Sequence, residues 1–410
     1  MGLPPRLPPC GDLTLPAPGS RTVRQLLSLA LLRARSTLAG LSSPDPADPR
    51  AALRRLLPAF DQGFLLSALR RPSRLTLARC LDADPSEPQR SSWGRSLAAS
   101  LCLDAAEVGL LPGPVELAFQ GELLSERSGW VLDLPPGTRL LLAPGRIELR
   151  TPRGTSSSPL PASPEQLDEA LRSAGVPAPR AHFPLWGDTV LLLHDTNPLA
   201  GLEAHPAKSG NRVDLGGHTP EQWRDALLGA FQVIRKQLPE ISGEMDLLLG
   251  HVGPVGYFDQ AHLSASYLEA MGVVYLSLHP HRMTLVEALV HEFQHNKLNL
   301  LLGLDPTLEN ADWPLYTSPV RPDPRPLRGV LLAVHAFQPI VRLYERLCGE
   351  PAEEEAETGW RRRRLGEVAR LCREGCEVLL PHGKPTAAGR PLLEEIRSLD
   401  QRFGALLGAG

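Results

Sequence analysis

No apolar run in this 410-residue chain reaches the roughly 20 residues that a membrane-crossing helix needs, so a helical membrane anchor is not expected. Charge of one sign is also lacking. A net charge of −3 recommends neither nucleic acid nor an anionic membrane surface as a partner. Cysteine is sparse, with six residues, no Cys-x-x-Cys pair and none of the density of a disulfide scaffold. Cys372 and Cys376 stand four apart on an expected helix, where two buried thiols are a commoner outcome than a metal edge. The opening "MGLPPRLPPCGDL" has neither the charged nor the apolar region of a signal peptide, and no Ser or Thr at position six to favour myristoylation. A cytoplasmic protein with reduced thiols is the expectation.

Proline, by contrast, is abundant: 42 residues, many in polar stretches, imply long irregular connections. The length implies two domains or three. Thr22 to about Leu111 carries apolar residues at helical spacing, as in "VRQLLSLALLRARSTLAGL". Leu110–Arg150 changes to short apolar runs broken by Gly and Pro, the pattern of strands and hairpins. The Pro/Ser-rich "TPRGTSSSPLPASPEQ", Thr151–Gln166, is the expected boundary. Two domains are expected, 1–155 for substrate or leader recognition and 167–410 for metal binding. The fold class expected is α+β: a mainly helical N-terminal region with a small β section, then an α+β metal-binding domain.

Within the second part, "DTVLLLHDTNPL", "MDLLLGHVGPV" and "GVVYLSLHP" read as strands. "TPEQWRDALLGAFQVIRKQL" reads as a helix whose Thr219 and Gln222 form a capping box. The strongest local signal is "MTLVEALVHEFQHNKLNLLLGLDP", which contains His-Glu-x-x-His. Thr284 and Glu287 have capping-box spacing, and Gly303 is the natural stop. His291 and His295 lie one turn apart, about 40° around the axis and about 6 Å along it, so both imidazoles can reach one ion. Glu292 can serve as general base or as an orienting acid beside the ion. A chance occurrence of the motif in such a chain is expected on the order of a few per cent of the time.

Two ligands do not close a site. The elongated metalloprotease pattern is excluded, because Leu298 and Leu301 stand where Gly and His would be required. Glu309, Asp305 and Asp312 are candidates for the third ligand, and so is His335 on the apolar helix "LRGVLLAVHAFQPI". Pro339, four residues after His335, should bend that helix. Before it, "LYTSPVRPDPRPLRGV" holds Arg321 and Arg325 on a proline-stiffened arm, and Pro326 suits the first helical position. A guanidinium so placed favours bidentate capture of a carboxylate, whether a peptide C-terminus or a keto acid.

Over most of Leu185 to Tyr344 the chain resembles the His-Glu-x-x-His-motif peptide-modification proteins of bacterial ribosomal-peptide biosynthesis. The likeness rests on "TVLLLHDTNPL", "HLSASYLEAMGVVYLSL", "LVEALVHEFQHNKLNLLL" and "YTSPVRPDPRPLRGVLLAVHAF". It implies a zincin-like metal helix and an iron(II)/2-oxoglutarate-dependent peptide β-hydroxylase that uses O₂. It also implies His291 and His295 as iron ligands, His335 as the third, Glu292 as a nearby acid, and Arg325 or Arg321 as the 2-oxoglutarate clamp. The peptide and the keto acid are then the partners. A zinc metallopeptidase with Glu292 as general base, and a non-catalytic peptide-binding protein, are the alternatives.

Overall fold

The computed structural model describes residues 7–202, 210–318, 323–351 and 355–407. The chain forms two compact units. One comprises Leu31–Asp214 with Gly250–Pro254, and the other Met1–Ala30, Leu215–Leu249 and Val255–Gly410.

Helix α1 (Thr22–Gly40) is divided between them. The unit beginning at Leu31 continues through α2 (Pro49–Leu56), α3 (Gln62–Leu69), α4 (Pro72–Asp82) and α5 (Glu87–Glu107). Strands β1 (Val115–Ala118), β2 (Gly121–Ser125), β3 (Trp130–Leu134), β4 (Arg139–Ala143), β5 (Arg146–Thr151) and β6 (Gly154–Pro159) follow. They make a four-stranded sheet in the order β1-β4-β5-β6 and a separate β2–β3 hairpin. Leu140, Leu142, Ile147 and Leu149 alternate inward at full burial, as a half-buried antiparallel sheet requires. Helix α6 (Pro164–Leu171) and the antiparallel pair β7 (His182–Trp186) and β8 (Thr189–Leu192) complete the run.

The Pro/Ser-rich stretch is therefore not a linker. Its first half is the β5–β6 turn and strand β6, paired from Arg146↔Pro159 to Thr151↔Gly154. Its second half starts α6, where Ser163 and Gln166 form a capping box. Serines in alternation satisfy a sheet edge as well as a flexible segment, and composition does not separate the two.

The other unit begins its long stretch with α7 (Pro220–Gln237) and α8 (Pro239–Leu248), and β9 (His251–Tyr257) then runs from one unit into the other. Strands β10 (Ser264–Ala265) and β11 (Val273–Leu278) pair antiparallel. The remaining elements are α9 (Arg282–Leu302), the short pair β12 (Leu315–Tyr316) and β13 (Arg325–Pro326), α10 (Leu327–Cys348), α11 (Glu355–His382) and α12 (Gly389–Leu407). Helix α9 packs between α7, α10 and β11, and α11 lies against α10 and α12. Helices thus dominate both units and small sheets accompany them, which is the expected α+β class.

Three local expectations meet the structure differently. The α7 capping box forms as read, with Gln222 N–H donating to Thr219 Oγ1 and Thr219 N–H to Gln222 Oε1. Met245–Leu248 is the end of α8 instead of a strand, and β9 starts only at His251. Pro239 at the helix start carries the apolar run as a helix, and such runs do not reveal their own period. Helix α9 begins at Arg282 with His281 as its cap, because Glu287 is drawn away from Thr284 to other partners.

Candidate metal centre

Helix α9 is buried on almost every side from Leu285 to Leu301, so the polar residues on it must find partners inside the unit. His291 and His295 face one point. Their Nε2 atoms are 2.9 Å apart and their rings, 4.5 Å between centroids, are nearly perpendicular. A carboxylate oxygen of Glu292 joins them, the three donor atoms all lying within 4.8 Å of one another. Burial lowers the pKa of His291, and burial together with His291 lowers that of His295 still further. Both imidazoles are thus neutral near pH 7, the state in which they bind metals.

The fit to a metal can be checked on atoms left over. Two nitrogens bound to one ion at ~2.1 Å lie about 3.0–3.4 Å apart for bond angles between roughly 90° and 110°. The observed 2.9 Å is just below that span and is also a hydrogen-bond distance, so an ion would part the two nitrogens by a few tenths of an ångström or less. His295 Nδ1 and Glu292 Oε2 are buried without a hydrogen-bond partner among the described residues. Two neutral imidazoles and a carboxylate with spare capacity are a donor set that suits iron(II) and zinc alike.

The pair is held from several directions. Phe337 of α10 sets its ring edge-on to His291 at 4.9 Å. Asn296, next to His295, accepts the Gly272 N–H at 2.7 Å and donates to the Val273 carbonyl at 3.0 Å, tying α9 to the start of β11. Asn299 donates to the Tyr267 carbonyl at 3.3 Å. One turn before His291, Glu287 accepts bonds from the Tyr344 hydroxyl at 2.6 Å and from Arg364 Nε and Nη2 at 3.0 and 2.6 Å. This brace fixes α9 to α10 and α11.

His335 is not in the three-residue donor group. Phe337 is the α10 residue against His291, and a side chain two positions earlier points about 200° around the helix from it. His335 is fully buried and lies under the influence of Lys297 and the Leu13 backbone. Burial, then Lys297 and His295, hold its pKa well below the usual value. The other candidate ligands are committed elsewhere or apart from the group. Asp305 accepts bonds from Thr307 N–H and the Thr386 hydroxyl, and Asp312 pairs with Arg328. Glu309 also lies outside the donor group.

Arg325 stands at the entry to α10 with Nε 3.0 Å from Asp323 Oδ2, so its guanidinium engages a neighbouring carboxylate. Pro326 caps α10 in place of opening its first turn. Arg321 lies outside the described residues.

Sequence reasoning missed the buried polar set on α9. The signal was present: "NKLNLLL" places Asn296, Lys297 and Asn299 inside an apolar helix, where each demands a partner. It also missed a second buried charged cluster, in the other unit. There Glu126 Oε2 stands 3.6 Å from His251 Nε2, beside His182 and the bidentate Arg74–Asp104 pair. No protein-family model matches this chain, and no curated protein matches it.

Proposed function

We propose that the chain is an iron(II)- and 2-oxoglutarate-dependent oxygenase that hydroxylates a side chain of a peptide. The observation carrying the metal half of this reading is the His291–Glu292–His295 group, with both Nε2 atoms at one point and a Glu292 oxygen left without a hydrogen-bond partner beside them. The resemblance of Leu185–Tyr344 supports the oxygenase half, together with a guanidinium at Arg325 that already takes a carboxylate partner.

In this reading His291 and His295 hold the ion, and Glu292 stands beside it to hold or pass a proton at its buried Oε2. Arg325 exchanges Asp323 for the distal carboxylate of the keto acid. Phe337 and the apolar flank of α10 exclude water from the imidazole side. With both groups bound, the chemistry supplied is the oxidation of 2-oxoglutarate by O₂ to succinate and CO₂, one oxygen atom going into a substrate C–H bond. A zinc peptidase is the second reading, favoured by the same unpartnered Glu292 oxygen, which could take a proton from water.

The test is uncoupled turnover. The full-length protein is loaded anaerobically with iron(II), mixed with 2-oxoglutarate, and opened to O₂, and succinate is measured. Succinate dependent on both iron and O₂ is expected. No succinate, with cleavage of an unstructured probe peptide by the zinc-loaded protein, would replace this reading by the peptidase.

A further inference from the structure

The rest of α9 around the histidine pair is polar too, with Gln294 on the flank beside the pair and Lys297 on the far side. Gln294 is about 100° and Lys297 about 200° around the helix from His295, and both are fully buried. Gln294 Nε2 donates to the Thr14 carbonyl at 3.2 Å. Thr14 N–H and Leu15 N–H donate in turn to the Glu395 carboxylate of α12 at 2.9 and 2.8 Å. Leu13 and Thr14 are fully buried, and the Leu13 backbone acts on His335. Asp12 accepts the Thr22 hydroxyl at 2.6 Å, which pins the segment to the start of α1. Lys297 completes the layer with an ion pair to Glu244 at 2.7 Å.

A buried, irregular stretch of backbone is unusual, because each of its N–H and C=O groups must be matched inside the protein. Here both backbone polar groups of Thr14 are matched, the C=O to the residue preceding a candidate ligand and the N–H to a distant helix. We infer that Asp12–Leu15 is a strut of the metal centre, and that Thr14, Gln294 and Glu395 are positioning residues that fix the rotation of α9 and so the direction of His295. This rests on the metal-binding reading above and deepens it. A helix gripped on one side by Asn296 and Asn299, and on the other by Gln294, cannot turn about its axis without breaking buried hydrogen bonds. The imidazoles are thereby set before an ion arrives, and outer partners of this kind typically matter 10–100-fold in metal affinity.

The experiment uses the full-length protein and cobalt(II) alone as the probe, followed by its visible absorption and by competition with a chelator, well below the melting temperature. Gln294→Leu keeps the volume and removes the donor to Thr14, and Glu395→Gln removes one acceptor from the Thr14–Leu15 pair. Each variant is expected to weaken cobalt binding about tenfold and to shift the absorption band. Variants that melt earlier yet bind cobalt with unchanged affinity and spectrum would overturn the inference alone. An unaltered protein that takes up no cobalt would overturn the metal reading and the strut together.

Discussion

Removing the Glu287 carboxylate tests how the metal helix is anchored. Its two oxygens accept three bonds, from the Tyr344 hydroxyl and from two nitrogens of Arg364. The carboxylate is 16% exposed and the guanidinium 32%. The ion pair is therefore partly screened and is worth only about 1 kcal/mol. The Tyr344 hydroxyl is different, because it is largely enclosed and its pKa is pushed up by burial and by Glu287. Leaving it unpaired costs about 1–3 kcal/mol. Glu287→Ala should thus lose about 3 kcal/mol, or roughly 6–12 °C of melting temperature at 2–4 °C per kcal/mol. Tyr344→Phe removes the stranded hydroxyl. In the Glu287→Ala background it should be neutral or stabilising, with a coupling of about 1–2 kcal/mol across the double-mutant cycle. Urea unfolding of the four proteins followed by circular dichroism supplies the cycle. A loss below 1 kcal/mol, or strict additivity, would refute the brace.

Other consequences are equally open to measurement. His335→Phe should keep the full metal equivalent and change stability by no more than about 1–2 kcal/mol, since neither buried ring nitrogen has a hydrogen-bond partner among the described residues to lose; loss of the bound metal would return it to the ligand set. Arg325→Ala should raise the 2-oxoglutarate concentration needed for uncoupled succinate formation by about tenfold, and an unchanged requirement would remove it from the clamp. Acid should unfold the Leu31–Asp214 unit through its buried cluster. Burial pushes His182 from 6.5 to about 3, so the unfolded chain takes the proton first and stability falls as pH drops from 6.5 towards 3. Burial would raise Glu126, but the His251 hydrogen bond and charge, with Arg74 behind them, hold it at about 2 instead of 4.5. Its contribution is present above pH 4.5 and is lost as pH falls towards 2, in the same direction. His182→Phe should flatten the decline between pH 6.5 and 4.5 in urea titrations, and an unaltered decline would contradict this assignment.

What the sequence could tell depended on how local each feature is. The His291–Glu292–His295 group was legible because one turn of helix brings it together with no help from the rest of the chain. Caps at Thr219 and Ser163 depend on neighbours three residues away, and the box at Thr219 was readable for that reason. The box at Thr284 failed because Arg364 and Tyr344, distant in sequence, compete for Glu287. For His335 the limit is similar: its apolar flanks show burial, but which way each side of α10 looks depends on packing such as that of Phe337 against His291. The unit boundaries at Ala30 and Asp214 follow contacts between segments far apart in the chain, while the eye is drawn to proline and serine. Nothing in "GDLTLPAP" announces that Thr14 will meet Gln294.

The central claim is that His291 and His295 hold one metal ion. Anaerobic equilibrium dialysis of the full-length protein against iron(II), followed by elemental analysis, tests it most directly. One equivalent bound by the unaltered chain, and none by His291→Ala or His295→Ala at matched fold content, is the predicted result. A full equivalent retained by both variants would contradict the account.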